Sequence, residues 1–213
     1  MKSEMLSAKS YPALADPDLF EDINTFARYS GWLHTPMYDI ATYGVVVFGV
    51  LLVGGWWAAR QRNDAPAVAA AIWAGAATLI AVAVNQPIVN AVAQARPYTD
   101  RTGILVLAHR STDYGFPSDH AVMAGAAAAG LLLYSRSLGT VAVVAAVILA
   151  FSRVYIAAHY PHDVIAGLAF GGTVAVLGWW LVRRPLTVLV ERVSATGLRP
   201  LVASTQRSGS SIG

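Results

Sequence analysis

Five long stretches of the chain contain no Asp, Glu, Lys, Arg or His, and they constrain the fold more than any other feature. They are residues 40–59, 65–95, 121–135, 137–152 and 164–182. A helix that crosses a bilayer needs about 20 residues. The whole chain is 56% hydrophobic and 13% charged, whereas a soluble domain carries about 25% charged residues. We therefore predict an all-α fold, a polytopic membrane helix bundle.

The bundle is predicted to contain five transmembrane helices. Their expected bounds are about 38–58, 66–94, 119–135, 138–154 and 161–182. Apolar residues at helical spacing also predict an N-terminal amphipathic helix at about 17–31, lying at the membrane interface or packed on the end of the bundle. Residues 1–184 would form a single membrane-embedded domain, and residues 185–213 a cytoplasmic tail that is disordered from about residue 204.

The distribution of arginine predicts the orientation of the bundle. One side of the five-span topology carries eight arginines against two acidic residues, and the arginines at positions 60, 62, 136, 183 and 184 lie near span ends. Basic residues near span ends mark the cytoplasmic side. The opposite, extracytoplasmic side would then carry residues 96–117 and 153–163, which contain most of the chemically interesting side chains.

Those side chains fall at the ends of three different predicted spans. They are Arg96 in the first segment, Ser118, Asp119 and His120 in the second, and Ser152, Arg153, His159 and Asp163 in the third. Guanidinium groups bind phosphate bidentately, and a helix N-terminus favours an anion. A histidine four residues before an aspartate is a candidate nucleophile with a carboxylate to orient it. Taken singly, each residue is as well explained by a cap, an ion pair or a headgroup contact; together they indicate phosphoryl transfer without a metal.

The three segments resemble the motifs of the type 2 phosphatidic acid phosphatase superfamily, which are K-x6-R-P, P-S-G-H and S-R-x5-H-x3-D. The third motif is matched fully by residues 152–163, and the second by residues 117–120 with Asp119 in place of glycine. The first retains Arg96 and Pro97, but Val89 stands where the motif has lysine. Arg101 and Arg110 are candidates to replace that lysine.

A closer resemblance is to the bacitracin-resistance type of undecaprenyl-diphosphate phosphatase. The pattern F-P-S-D-H-A at residues 116–121, with V-L-A-H-R-S-T-D just before it, is similar to that subgroup. The resemblance implies a bacterial plasma-membrane enzyme that removes the terminal phosphate of undecaprenyl diphosphate and so recycles the lipid carrier of cell-wall synthesis. Its active site would lie on the extracytoplasmic face.

The resemblance also implies a role for each motif residue. His159 would attack phosphorus and form a phosphohistidine, Asp163 would orient its ring, and His120 would be the general acid and base. Phosphate binding falls to the other motif residues, namely Arg96, Arg153, Ser118, Asp119 and Ser152. No metal and no cofactor is expected. The predicted partners are a lipid-phosphate substrate and membrane lipids, with no nucleic acid.

Several alternatives stay open from the sequence. The substrate could be phosphatidate, phosphatidylglycerophosphate or another lipid phosphate. A transporter or a non-catalytic lipid-phosphate binder is a different class, but the span interiors lack the ionisable groups that transporters use. A vanadate haloperoxidase shares the motifs without the spans. Outside the motifs, His109 could contact substrate, His162 fits a structural role, and the amides of Gln86, Asn90 and Gln94 could line the site or join helices.

Overall fold

The structure is a computed structural model that describes residues 17–204. It contains α1 (Pro17–Tyr29), α2 (His34–Tyr43), α3 (Val45–Gln61), α4 (Ala65–Val92), α5 (Pro97–Asp100), α6 (Asp119–Tyr134), α7 (Arg136–Tyr155) and α8 (Pro161–Ser194). Short 3-10 turns lie at Gly31–Leu33 and Arg199–Leu201. No strand occurs within residues 17–204, so this part of the chain is all-α as predicted. The predicted disorder after about residue 204 falls outside the described residues.

Polar residues and prolines set where the long helices begin. The carboxylate of Asp64 accepts the backbone N–H of Ala67 at 3.3 Å before α4, and the hydroxyl of Ser135 accepts that of Leu138 at 3.4 Å before α7. Pro161 opens α8, where proline needs no N–H partner. These starts lie within about two residues of the predicted bounds because a capping residue or a proline lies just before each uncharged run.

Helix α6 lies at the centre of the bundle and packs against α4, α7 and α8. Its buried face is made almost entirely of alanine and glycine. Gly167 and Gly171 of α8 meet the backbone of α6 directly: a Cβ on Gly167 would lie 2.8 Å from the carbonyl oxygen of Ser118. This close packing through the glycine pair holds the starts of α6 and α8 side by side.

Replacing Gly171 with alanine is expected to destabilise the protein by about 1–3 kcal/mol, the usual cost of overpacking. The added Cβ would clash with backbone atoms of Val122 and Ala126, which cannot move without shifting α6. Gly75→Ala is the matched control, because a Cβ at this mid-helix glycine meets nothing within 4 Å. That variant should be neutral or more stable by about 0.5–1 kcal/mol. Thermal unfolding in detergent measures both, and equal behaviour of the two variants would contradict this packing.

Three segments are long and apolar enough to cross a membrane, namely Ala65–Asp100, α7 and α8. The pair α2 and α3 would make a fourth span although the two helices are bent by 50°. Helix α6 has 16 residues and is shorter than a typical span. Its central place, surrounded by longer helices, accounts for its composition of small residues. The count of five spans stays a prediction.

Two predicted boundaries differ from the structure. The first predicted span, about 38–58, is divided at Gly44 between α2 and α3. The tail predicted to start at residue 185 instead begins as helix, because α8 continues through Pro185 to Ser194. Val190 and Val202 are buried against α4 in an apolar cluster, and this packing holds the segment on the bundle.

Helix α1 buries Phe20 and Ala27 while it exposes Phe26. It packs against α7. The amide of Asn24 makes two hydrogen bonds with the backbone of Leu105, donating to its carbonyl at 2.7 Å and accepting its N–H at 3.0 Å. Helix α1 therefore holds the long loop between α5 and α6 in place, and its contact with a membrane surface stays a prediction.

Candidate active site

Four helix ends meet at one end of the bundle. Arg96 follows the end of α4, Ser118 precedes α6, Arg153 lies in the last turn of α7, and His159 lies between α7 and α8. A cavity of about 420 Å³ opens among them. It is lined by residues of these segments, by α2 and by the α5–α6 loop; the motif residues on its wall are Arg96, Pro117, Asp119, His120, Arg153 and His159. The fold thus brings all three motifs together.

His159 is the most constrained side chain of the site, with 2% of its surface exposed. Its Nε2 lies 2.9 Å from Nη1 of Arg96 and 3.3 Å from Nη2 of Arg153. A guanidinium can only donate, so Nε2 must be the acceptor and Nδ1 carries the proton. That proton is donated to the carbonyl oxygen of Gly115 at 2.8 Å. The lone pair of Nε2 therefore faces two cations, where a phosphoryl group would bind.

Asp163 lies slightly farther from His159 than the predicted orienting role requires. Its Oδ2 is 3.5 Å from Nδ1, while Gly115 provides the shorter hydrogen bond. The carboxylate is fully buried and also accepts the backbone N–H of Tyr160 at 2.8 Å, an amide N–H of Gln94 at 2.9 Å, and lies 3.0 Å from Nε2 of His162. Asp163 thus caps α8 and supplies negative charge beside the ring, and the carbonyl of Gly115 fixes the tautomer.

Arg96 is held by the loop as well as by the histidine. Its Nη2 lies 2.9 Å from Oδ2 of Asp113, and its Nε lies 3.2 Å from Oδ1, which makes a bidentate ion pair. Nη1 also donates to the carbonyl of Ala158 at 3.1 Å. Burial alone would raise the pKa of Asp113, but hydrogen bonds from Ser111 and Arg96 and the charge of Arg96 hold it below its ordinary value. The guanidinium is therefore fixed in orientation before any ligand enters.

Two donors at the site have no partner within the described part of the chain. They are the hydroxyl of Ser118, at the N-terminus of α6, and Nε of Arg153. Both atoms are buried, and an unpaired buried donor costs free energy unless a ligand or water satisfies it. Ser118 and Arg153 were both predicted to bind phosphate. Arg153 lines the cavity, whereas Ser118 is fully buried and lies between the wall residues Pro117 and Asp119.

Asp119 and His120 both line the cavity. The Oδ1 of Asp119 accepts amide N–H groups from Asn85 at 2.7 Å and Gln86 at 2.9 Å. The carboxylate of Asp119 therefore joins α6 to α4. Its hydrogen bonds from Asn85 and Gln86 explain why a negative group lies beside an anion site without a contact to phosphate. His120 is half-buried and faces the same space as His159, which places a second imidazole beside the reacting position.

Three residues that the sequence offered as phosphate contacts lie outside the cavity wall. Ser152 does not line the cavity, and its hydroxyl donates to the carbonyl of Leu149 at 2.7 Å within α7. Neither arginine suggested as a substitute for the missing lysine lines the cavity. Arg101 forms an ion pair with Glu21 at 2.7 Å, and Arg110 lies over the ring of Tyr98. Val89, at the lysine position, is buried.

Residues outside the motifs complete the site. His109 lines the cavity, as its possible substrate contact requires, and His162 contacts Asp163 and Gln94 in a supporting position. Gln86 and Gln94 join helices through Asp119 and Asp163, which is the second of the two roles that the sequence left open for these amides. The regular spacing of the amides was the only feature of the sequence that pointed to these supporting contacts. Nothing in the sequence pointed to the hydrogen bond between His159 and the carbonyl of Gly115.

Burial lowers the pKa of His159 below its ordinary value. The neighbouring charges of Arg153 and Arg96 lower it further, while Asp163 opposes both effects. The ring is therefore neutral at pH 7. No group of three or more His, Cys, Asp or Glu side chains within residues 17–204 is placed to hold a metal ion.

Comparison with known proteins agrees with this geometry. Residues 70–186 match the family model described as the PAP2 superfamily, and this range contains all three motifs. The chain is similar to undecaprenyl-diphosphatase BcrC of Bacillus subtilis, with 25% identity over 181 residues that cover 83% of this chain and 90% of the relative. It is also similar to an undecaprenyl-diphosphatase of Sulfolobus acidocaldarius, with 34% identity over 100 residues that cover 46% and 48%.

Among solved structures, the chain resembles a transmembrane PAP2-type phosphatidylglycerolphosphate phosphatase from Bacillus subtilis. The TM-score is 0.54 with 19% identity, and the match covers 83% of this chain and 87% of the other. At this identity the likeness establishes the fold alone. The helices of this chain are therefore arranged as in that structure.

Proposed function

The chain belongs to the PAP2 superfamily and is a membrane lipid phosphatase, and we propose that it removes the terminal phosphate of a polyprenyl diphosphate such as undecaprenyl diphosphate. The observation that carries the chemistry is the convergence of Arg96 and Arg153 on Nε2 of His159. The observation that favours the substrate is the likeness to two undecaprenyl-diphosphatases. The product would be the lipid monophosphate and inorganic phosphate.

In the first step, Nε2 of His159 attacks the terminal phosphorus. The new P–N bond forms as the P–O bond to the bridging oxygen breaks, and His120 donates a proton to that oxygen. Arg96, Arg153 and the hydroxyl of Ser118 bind the phosphoryl oxygens, and the two arginines then donate to these oxygens rather than to the nitrogen. Catalysis of phosphoryl transfer rests mainly on such positioning and charge stabilisation.

In the second step, water hydrolyses the phosphohistidine. His120, now neutral, accepts a proton from the water as its oxygen bonds to phosphorus and the P–N bond breaks. Inorganic phosphate leaves, and His159 returns to its neutral form with Nδ1–H bonded to Gly115. Each group thereby recovers its starting protonation state, and the cycle uses no metal.

We place this site on the extracytoplasmic face of a bacterial plasma membrane, with the C-terminal segment in the cytoplasm. The support is the arginine distribution: Arg60 and Arg136 lie at the helix ends opposite to His159, and Arg183 lies in the half of α8 farther from His159. Positive charge marks the cytoplasmic side. A lipid substrate would keep its tail in the bilayer while its diphosphate enters the polar cavity between the helix ends.

The test of this function is phosphate release by the purified protein in detergent containing EDTA. Undecaprenyl diphosphate, farnesyl diphosphate and phosphatidate are compared at equal mole fraction. We expect release from both diphosphates, with kcat/KM for phosphatidate at least about 10-fold lower. Faster release from phosphatidate would overturn the substrate assignment, and loss of all activity in EDTA would overturn the metal-free mechanism.

The pH dependence follows from the lowered pKa of His159. The nucleophile must be neutral, so its protonation should reduce kcat/KM only at pH values below about 6.5, the ordinary pKa of histidine. The same shift means that the unfolded state binds more protons than the folded state at acidic pH, so stability falls as the pH drops below about 6.5. A pH–rate profile with farnesyl diphosphate measures the acidic limb, and a limb assigned to His159 above pH 7 would contradict this account.

A further inference from the structure

A second polar wall of the catalytic cavity comes from α2, outside all three motifs. Tyr38 and Thr42 line the cavity together with His120, Arg153 and His159. They are four residues apart, so their side chains share one face of the helix. The Nη1 of Arg153 donates to the carbonyl of Ala41 at 3.1 Å, so that the motif arginine itself fixes α2 at the edge of the site.

The hydroxyl groups of Tyr38 and Thr42 have no hydrogen-bond partner within residues 17–204. Elsewhere on the helices, Thr78, Thr173 and Thr187 each donate to the carbonyl four residues earlier. Within residues 17–204, neither Tyr38 nor Thr42 makes such a hydrogen bond. Both residues are only partly buried. Their hydroxyls can therefore donate to a ligand in the cavity without giving up a contact that stabilises the fold.

The size and charge of the cavity indicate a ligand larger than one phosphate. A volume of about 420 Å³ falls in the range of sites for small organic ligands. The donors around His159 are sufficient for the phosphoryl group that is attacked. In a diphosphate, negative charge also develops on the second phosphate as the bridging bond breaks, and donors aimed at that charge accelerate the reaction.

We propose that Tyr38 and Thr42 of α2 form a subsite for the second phosphate of a diphosphate substrate, the phosphate that leaves with the lipid. This inference rests on the proposed function and adds to it a residue basis for selecting diphosphates over monophosphates. The deep subsite at His159, Arg96 and Arg153 holds the terminal phosphate. The α2 subsite binds only when a second phosphate is present.

The test compares Tyr38→Phe, Thr42→Val and the double variant with the wild-type protein. Matched controls are Tyr43→Phe and Thr35→Val, which change the same residue types at exposed positions of α2 that do not line the cavity. Two quantities are measured: kcat/KM for farnesyl diphosphate, and the inhibition constants of inorganic pyrophosphate and inorganic phosphate. Pyrophosphate can span both subsites, whereas phosphate fills only the deep one.

We expect each single variant to lower kcat/KM for farnesyl diphosphate by about 10-fold, since a hydrogen bond to a charged group is worth that much or more. Inhibition by pyrophosphate should weaken by a similar factor, while inhibition by phosphate changes by less than about 2-fold. The controls should match the wild type. Parallel weakening of both inhibitors, or no change in either, would overturn the subsite. A wild-type protein that hydrolyses phosphatidate but no polyprenyl diphosphate would instead overturn the proposed function.

Discussion

Replacing His159 with asparagine is expected to lower kcat/KM for farnesyl diphosphate by about 10⁴-fold or more, a loss typical of removing a catalytic nucleophile. The Nε2 of His159 is the only atom of the described site to which both Arg96 and Arg153 donate. An asparagine side chain is shorter and has no basic nitrogen, so no P–N bond can form. The measurement is phosphate release from farnesyl diphosphate in detergent.

The matched control for this variant is His34→Asn. His34 begins α2, does not line the cavity, and its Nε2 lies 2.8 Å from the carbonyl of Ala27. It should keep activity within about 3-fold of the wild type, and any loss there would reflect stability. Both proteins are checked for the same thermal unfolding behaviour. If His159→Asn retained more than about one tenth of the activity, the nucleophile assignment would be wrong.

Removing the guanidinium of Arg153 with an alanine substitution should lower kcat by about 10³-fold, the lower end of the effect of a transition-state arginine in phosphoryl transfer. The Nη2 of Arg153 lies 3.3 Å from Nε2 of His159, and its buried Nε has no partner within residues 17–204. The side chain is thus poised to meet charge that develops on the phosphoryl oxygens. Phosphate release under saturating substrate measures the loss in kcat.

Arg136→Ala is the control, because Arg136 lies at the first residue of the same helix, α7, far from the site. It should leave kcat within about 2-fold of the wild type. Arg153→Lys adds a second comparison: a lysine keeps the charge but not the planar fork, so activity should stay at least about 10-fold below the wild type. Full activity in Arg153→Lys or in Arg153→Ala would show that no bidentate contact is made.

The main helices could be predicted because the residues that start them lie next to the apolar runs in the sequence. Uncharged runs that begin shortly after Asp64, Ser135 and Pro161 predicted the starts of three helices to within a few residues. The division at Gly44 could not be predicted, since the apolar run continues across it and the bend depends on how α2 packs on α7. Pro185 normally suggests a helix end, but apolar packing on α4 carries α8 beyond it.

The site was predictable where its members are side chains with chemistry of their own. Arg96, His120, Arg153 and His159 stood at the ends of predicted spans, and the fold brings them to one cavity. The tautomer of His159 depends instead on a backbone carbonyl, that of Gly115, whose position follows from the loop conformation. The position of Tyr38 and Thr42 at the cavity could not be predicted either, because nothing in the sequence shows which face of α2 contacts Arg153.

The most direct test of the central claim is to trap the covalent intermediate. The purified protein is mixed with farnesyl diphosphate labelled with ³²P in its terminal phosphate, quenched with alkali within milliseconds to seconds, and examined for labelled protein. We predict a label that is stable to alkali and lost in acid, as a phosphohistidine is, and that is absent from His159→Asn. Label that persists in His159→Asn, or rapid turnover by the wild type with no labelled protein at any quench time, would contradict nucleophilic attack by His159.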